Sequence, residues 1–369
     1  MEDKISEEKH VHFASHNGIA SPIGSSSAIK SDNGLAMHTD YSKGDAVDSV
    51  SNDGKYVKES TSSVEEKQET RGFFEIAANY IAALRPWSFS ASLTPILLGT
   101  ALGYRKSGEV NYLVLFFTAV AILSVHAAGN LVNTYYDFLK GIDSKKSDDR
   151  TLVDNRLTPQ EVAFFGASLY GVGCIALLIL GLIAKARIEH MALLYFGGLS
   201  SSFLYTGGIG LKYHAFGDVV ILLSFGPLAV MFSYICQTGL LELTPFWYAI
   251  PLALNTEAIL HSNNARDMDS DKAANVTTIA IMLGATASYV LYCLLLFIPY
   301  IMLTILGCNF SMAFLLPFLS LTVAFKLEKE FRRGELDGIP QKTAKLNLIF
   351  GGLYVISCLL ADRESMPGL

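Results

Sequence analysis

From Trp87 onward, apolar stretches of about 20 residues alternate with short polar connections, and that is the length a helix needs to cross a ~30 Å hydrocarbon core at ~1.5 Å per residue. About nine such stretches can be drawn, at roughly 87 to 104, 112 to 132, 162 to 183, 191 to 206, 216 to 236, 245 to 262, 279 to 302, 309 to 325 and 346 to 361. The fourth, sixth and ninth are short. Without water, each segment must satisfy its own backbone hydrogen bonds, so each is expected to be helical. The pattern predicts an all-α polytopic membrane protein with about nine transmembrane helices.

Residues 1 to 70 break this pattern. They are polar and Ser-rich, with runs such as Gly24-Ser-Ser-Ser and Ser60-Thr-Ser-Ser, few aromatics and many charges. Such a segment cannot bury enough apolar surface to offset the entropy of ordering, so a disordered cytosolic tail is expected ahead of a membrane domain at 71 to 369. Charges of both signs and the lack of an apolar core in residues 1 to 16 argue against a secretory signal, so insertion is expected to begin at the first span.

Composition agrees with a membrane protein: 51% of the residues are hydrophobic, and the mean hydropathy is positive at +0.37. A net charge of −6 and the lack of a basic cluster interleaved with aromatics set nucleic acid aside as a partner. Cys174, Cys236, Cys293, Cys308 and Cys358 lie in or beside apolar runs without Cys-x-x-Cys spacing, and read as small buried hydrophobes rather than zinc ligands or a disulfide framework.

Lys and Arg concentrate in the connections after the second, fourth, sixth and eighth stretches, among them Lys140, Lys145, Lys146, Arg150, Lys212, Arg266, Lys272 and Arg332. The other side holds only Arg105, Lys106, Lys185, Arg187 and Arg363. The positive-inside rule therefore predicts that the N-terminus and the even-numbered connections are cytosolic.

The same connections carry the candidate chemistry. After the second stretch comes Asn133-x-x-x-Asp137-x-x-x-x-x-Asp143, continuing to Arg150, and after the sixth comes Asn263-Asn264-x-x-Asp267-x-x-x-Asp271. On a helix, Asn263, Asp267 and Asp271 would stand at i, i+4 and i+8 along one face, and Asn133 and Asp137 repeat the i, i+4 step. Hard oxygen donors without His or Cys suit Mg2+, which favours a few carboxylates plus substrate phosphates. Carboxylates brought together repel, so a diphosphate bridged by Mg2+ explains their pairing better than two solvated loops do. The glycine-rich connection from Tyr205 to Tyr213 adds Lys212, its single Lys or Arg, as a candidate for the anion.

Other features carry less. Arg85-Pro-Trp-Ser88 reads as an interfacial anchor at the start of the first span. His126 reads as a satisfied packing residue. Glu257 and His261, at i and i+4 on the sixth span, are expected to face the bundle interior and support the acceptor end of a cavity.

The paired motifs resemble those of the UbiA superfamily of intramembrane prenyltransferases, and the resemblance spans roughly residues 80 to 361. It implies helices surrounding a central cavity, Mg2+ as cofactor, and prenyl transfer from an isoprenoid diphosphate to an aromatic quinol in the lipid phase. In the animal branch this implies geranylgeranyl diphosphate and menadiol, giving menaquinone-4. It further implies Asp137, Asp143, Asp267 and Asp271 as metal ligands, and Lys212 and Arg150 as contacts of the anionic substrate. Tyr205, Asn133, Asn263 and Asn264 are implied as substrate-binding residues. The gap before Asp143 is longer than in many microbial members. The resemblance also implies the endoplasmic reticulum and Golgi, or a mitochondrial membrane, and a regulatory partnership with a sterol-pathway reductase.

A transporter is the rival from another class, but it would be expected to hold ionisable groups or broken helices near the bilayer midplane rather than aspartates at one face. A CDP-alcohol phosphotransferase would need Gly and Ala-Arg between its aspartates, an order neither motif has.

Overall fold

The computed structural model describes residues 72–143 and 149–369. The N-terminal tail, together with Lys145 and Lys146, lies outside the described residues. Among those described, the chain is helical, and its only extended pairing is an isolated bridge between His214 and Thr277. The helices are α1 (Phe73–Ala83), α2 (Ser90–Ser107), α3 (Tyr112–Leu139), α4 (Pro159–Ile183), α5 (Ile188–Thr206), α6 (Gly217–Leu223), α7 (Ala229–Thr238), α8 (Thr244–Arg266), α9 (Met268–Ala273), α10 (Ile279–Asn309), α11 (Leu321–Arg332) and α12 (Ile339–Leu360). A π turn, Ser224–Leu228, joins α6 to α7.

Each predicted apolar stretch falls on helix. By length and composition, 5 helical units are long and apolar enough to cross a membrane: α3, α4, α6 with α7, α10 and α12. Helices α2 and α8 are less apolar for a reason. They bury Ser90, Ser92, Thr94 and Thr100 on α2, and Asn255, Thr256, Glu257, His261, Ser262 and Asn264 on α8. Polar side chains turned inward lower mean hydropathy without exposing anything polar to lipid.

The outer surface is correspondingly apolar, with Phe164, Leu182, Leu193 and Leu319 each at least 70% exposed. Inside, Tyr234, Tyr292, Phe314, Phe350 and Tyr354 are fully buried. Close helix contacts rest on small residues. A Cβ on Gly99 would come within 2.3 Å of the Val230 carbonyl oxygen, so glycine lets α2 lie directly on α7.

Local signals set the ends of the helices that carry the site. Asn111 caps α3 by accepting from the backbone N–H groups of Leu113 and Val114. Thr158 and Glu161 form a reciprocal capping box at the start of α4, with Pro159 in its first turn. Helix α3 runs about two turns past the predicted end near 132, because Asn133 and Asp137 continue its periodicity.

Candidate functional site

Near the end of α3, Asn130 donates to the Leu84 carbonyl and the Ser88 hydroxyl in the turn between α1 and α2, while the last turns of the helix present Asn133 and Asp137 to the loop between α5 and α6. There the Lys212 ammonium donates to Asp137 Oδ2 at 2.6 Å and to Asn133 Oδ1 at 3.1 Å. The Tyr213 hydroxyl donates to Asp137 Oδ1 at 2.8 Å. Burial, and next the Asp137 carboxylate beside it, push the Tyr213 hydroxyl well above the ordinary phenol value, so it stays a donor. On its other side this loop is stapled to the segment after α9: Ala215 N–H donates to the Thr277 carbonyl at 2.8 Å, and Thr277 N–H to the Tyr213 carbonyl at 3.2 Å. The loop therefore joins the two aspartate motifs at one end of the bundle.

The second motif keeps the i, i+4 backbone step across a break between two helices: Asp267 N–H donates to the Asn263 carbonyl at 3.0 Å and Asp271 N–H to the Asp267 carbonyl at 2.9 Å. Helix α8 ends at Arg266, and Asp267, with φ −93° and ψ 9°, bends the chain into α9. Arg266 grips Asp267 with two bonds of 2.8 and 2.7 Å and donates to Asn263 Oδ1 at 2.9 Å. Asn263 in turn donates to Asp267 Oδ2 at 3.2 Å. One turn further on, Asp271 is buried.

Charge accumulates here. Burial and then the Asp137 charge raise the Asp143 carboxyl to about 7, against the partial relief of Arg85. Burial raises Asp271 to about 6, with Lys212 opposing and Asp267 and Asp137 adding to the shift. Both motifs thus share one electrostatic site.

Arg85 joins it from the turn between α1 and α2. Its backbone is left-handed at φ 52°, an arrangement disfavoured for a side chain with a Cβ. The turn is held because the guanidinium donates to Asp149 at 3.0 Å, while Thr134 also donates to that carboxylate and Asp149 Oδ1 accepts from the Thr151 N–H. Burial alone would raise Asp149; Arg85, followed by the Thr134 and Thr151 bonds, holds it below its usual range instead.

Below this charged end lies a cavity enclosing about 1390 Å³ with its open mouth included. Arg85, Asn130, Asn133, Tyr205, Lys212 and Asn263 line its polar end, and Ile122, Val125, Leu194, Phe225, Leu228 and Phe232 line the rest. From Asn133 to Ile122 along α3 is about 16 Å, so the wall turns from charged to apolar over that depth.

Residues 92–349 match the UbiA prenyltransferase family. The chain belongs to this family. Among its UbiA relatives, the UbiA prenyltransferase domain-containing protein 1 of Danio rerio is 61% identical over 79% of this chain and 86% of that protein. The Homo sapiens protein of the same name is 56% identical over 80% and 88%. The Drosophila melanogaster homolog is 54% identical over 81% and 84%. The fold is shared with an apo UbiA homolog from Aeropyrum pernix, at TM-score 0.59 and 12% identity, over 74% of this chain and 98% of that one. It is also shared with a UbiA homolog from Archaeoglobus fulgidus bound to DMAPP and Mg2+, at TM-score 0.53 and 14% identity, over 75% and 99%. The chain is a helical membrane prenyltransferase.

Within this UbiA fold, Asn133, Asp137, Lys212, Tyr205, Asn263, Asp267, Asp271 and Asp143 gather at the charged end. Arg150 and Asn264 stand apart. The Arg150 guanidinium pairs with Asp154 at 2.8 Å and lies outside the cavity wall. Asn264 is buried on another face of α8, where it donates to Asp218 Oδ2 at 3.5 Å.

Glu257 and His261 face the interior, as expected, yet neither lines the cavity. Thr256, Ile259, Leu260 and Asn263 form that stripe of α8, and a residue one position on is turned by about 100°.

Sequence reasoning missed the site role of Arg85 and Trp87, which line the cavity rather than merely anchoring a helix end. His126 is satisfied, as expected, but it too is a wall residue. Ser88 donates to the Arg85 carbonyl, so it must accept from His126 Nε2–H at 3.2 Å, which leaves Nδ1 to accept from Ser92 at 2.7 Å. Both ring nitrogens are occupied, and His126 is not a free base.

Proposed function

We propose that this chain transfers a prenyl group from an isoprenoid diphosphate to an aromatic quinol, with geranylgeranyl diphosphate and menadiol as the pair and menaquinone-4 as the product. The observation that carries this reading is one cavity with Arg85 and Lys212 at its polar end, the Asp137 carboxylate bonded to that Lys212, and an apolar remainder. That division matches a molecule with an anionic head and a hydrocarbon tail, which gains about 0.8 kcal/mol per buried CH2. The names of the animal relatives and the DMAPP and Mg2+ of the Archaeoglobus protein support it.

The donor set fits Mg2+. It is all oxygen, and the carboxyls of Asp143 and Asp271 are raised chiefly by burial and also by their acidic neighbours, a strain that a cation relieves. Among the described residues no three acidic, His or Cys side chains form a ready cage. An ion that relies on substrate phosphates needs none. Asp137, Asp143, Asp267 and Asp271 would hold it, and when bound it neutralises charge on the diphosphate.

The residues then have distinct tasks. Lys212 and Arg85 meet the anion as the C1–O bond breaks and its electron pair leaves with the diphosphate. Arg150 joins them from the rim on leaving Asp154. Asn133 and Asn263 orient the phosphates, with Asn264 bracing the same helix end, and Tyr205 bounds the reacting carbon. The apolar wall keeps water from the allylic cation, the ring carbon supplies the pair for the new C–C bond, and the ring C–H yields its proton. We assign the N-terminus and the charged end to the cytosolic side of endoplasmic reticulum and Golgi membranes.

The test is purified full-length protein in lipid with Mg2+, labelled geranylgeranyl diphosphate and a panel of reduced quinones. Labelled menaquinone-4 from menadiol, lost on chelation and restored by Mg2+, is expected. Transfer to no quinol in the panel overturns the reading.

A further inference from the structure

Behind the cavity wall, between α6, α8 and α10, lies a second cluster of ionisable groups that the proposed chemistry does not use. Glu257 is 5% exposed, Asp218 7% and His261 0%. Glu257 and His261 stand one turn apart on α8, and Asp218 comes from α6, which packs on it. His261 Nδ1 stands 3.9 Å from Asp218 Oδ1.

Both Glu257 oxygens, Asp218 Oδ1 and His261 Nδ1 have no partner. Among the described residues, the only side-chain donor directed at them is the Asn264 amide, at 3.5 Å from Asp218 Oδ2. On its far side His261 Nε2 lies 2.9 Å from both the Ser288 carbonyl and the Ser288 hydroxyl. The carbonyl can only accept, so Nε2 carries the imidazole hydrogen and Nδ1 is left as a bare acceptor. Two carboxyl groups and a bare imidazole nitrogen then face one another, with no Lys or Arg paired to them among the described residues. Buried acceptors that meet only acceptors are satisfied by protons held between them, as in carboxyl pairs that share one.

A wall residue connects this cluster to the cavity. Tyr205 lines the polar end, and its ring packs on Gly217, where a Cβ would come within 3.2 Å of Tyr205 Cε2. Asp218 is the next residue in the chain and is buried in the first turn of α6. Of the other titratable wall residues at depth, His126 has both nitrogens occupied, and the Tyr195 hydroxyl is turned to Cys174 Sγ at 3.9 Å.

We infer that the Asp218–Glu257–His261 cluster is the proton acceptor for the ring hydrogen released in prenyl transfer, reached through the Tyr205 hydroxyl. This rests on the transfer reaction proposed above. As the ring C–H bond breaks, its electron pair restores aromaticity and the proton goes to the Tyr205 oxygen. Tyr205 passes its own proton to Asp218, and the cluster returns one to water between turnovers.

Glu257→Gln and Asp218→Asn keep shape and volume while removing a proton site, and the decisive readout is the isotope effect on menadiol deuterated at the attacked ring carbon. In the wild-type protein, with C1–O cleavage limiting, the deuterated and ordinary acceptors should react alike. Each variant should lose on the order of 100-fold in turnover, gain a normal isotope effect as C–H cleavage becomes limiting, and still bind the prenyl diphosphate as the wild type does. A turnover loss without an isotope effect, or activity within a few-fold of wild type in both variants, overturns the inference. If the wild type itself prenylates no quinol, the transfer reading fails instead.

Discussion

The Lys212 ammonium lies 2.6 Å from the Asp137 carboxylate, and the two belong to segments 75 residues apart. Their side chains are 14% and 5% exposed, so the pair is shielded at the charged end of the cavity. Lys212 also holds the Asn133 side chain, which places one cation over the whole first motif. Lys212→Gln should raise the apparent constant for the prenyl diphosphate by roughly 10- to 100-fold and leave the quinol constant unchanged, since a charge-assisted contact to the donor alone is lost. Steady-state kinetics with each substrate varied in turn checks this. Equal changes in both constants, or none, would remove Lys212 from donor binding.

Arg85 and Asp149 make a second cross-chain pair, with Asp149 4% exposed and Arg85 24%. Removing one member of a buried pair strands the other, at a cost of about 3 kcal/mol when the partner stays shielded. Asp149→Ala should therefore lower thermal stability in detergent and weaken donor binding together, because Arg85 also lines the cavity. Asp149→Asn, which keeps an acceptor for Thr134 and Arg85, should fall between that variant and wild type. A melting temperature unchanged in Asp149→Ala would contradict the anchoring role.

Much of this was legible in the chain because two periodicities overlap. Apolar runs of membrane length predicted the helices, and Asn133 and Asp137 continue the helical step of α3 past the end of its apolar run, so their common face could be read directly. Arg85 could not be read that way. An Arg-Pro-Trp start looks the same whether it anchors a helix or lines a cavity, and the difference lies in a left-handed turn and a partner 64 residues away. Glu257 was assigned correctly to the interior but to the wrong side of α8, because only the packing of α6 decides which buried stripe meets the cavity. The bend at Asp267 was equally hidden, since an i, i+4, i+8 spacing does not reveal that α8 stops at Arg266.

Among the described residues the wall of the cavity is drawn from 85 to 263, and the family match begins at 92. Deleting residues 1 to 70 should thus leave prenyl transfer by the purified protein within about two-fold of the full chain, as expected when polar terminal segments contribute no wall. Abundance or targeting in cells is the property expected to change. A truncated protein that inserts and binds donor yet turns over far more slowly would show that the tail completes the site.

The acidic end also makes a pH prediction whose sign follows from Asp143 and Asp271. Their ordinary value is 3.8, and the folded chain raises them to about 7 and about 6, mainly through burial and also through neighbouring carboxylates. Between pH 4 and 7 the metal-free folded protein therefore holds protons that the unfolded chain has released. Folding stability should fall as pH rises across that window and level off above it. Mg2+ reverses the trend, because its ligands must be deprotonated and its charge offsets their repulsion. Melting temperatures of the protein in detergent should drop from pH 5 to pH 8 without metal. The rise on adding Mg2+ with a non-reacting prenyl diphosphate analogue should be small at pH 5 and largest at pH 8. In Asp143→Asn and Asp271→Asn both the slope and the Mg2+ increment should shrink, since an amide neither titrates nor carries charge. A metal-free stability that climbs through the same window, or a Mg2+ increment independent of pH, would mean that these carboxyls do not form the metal site.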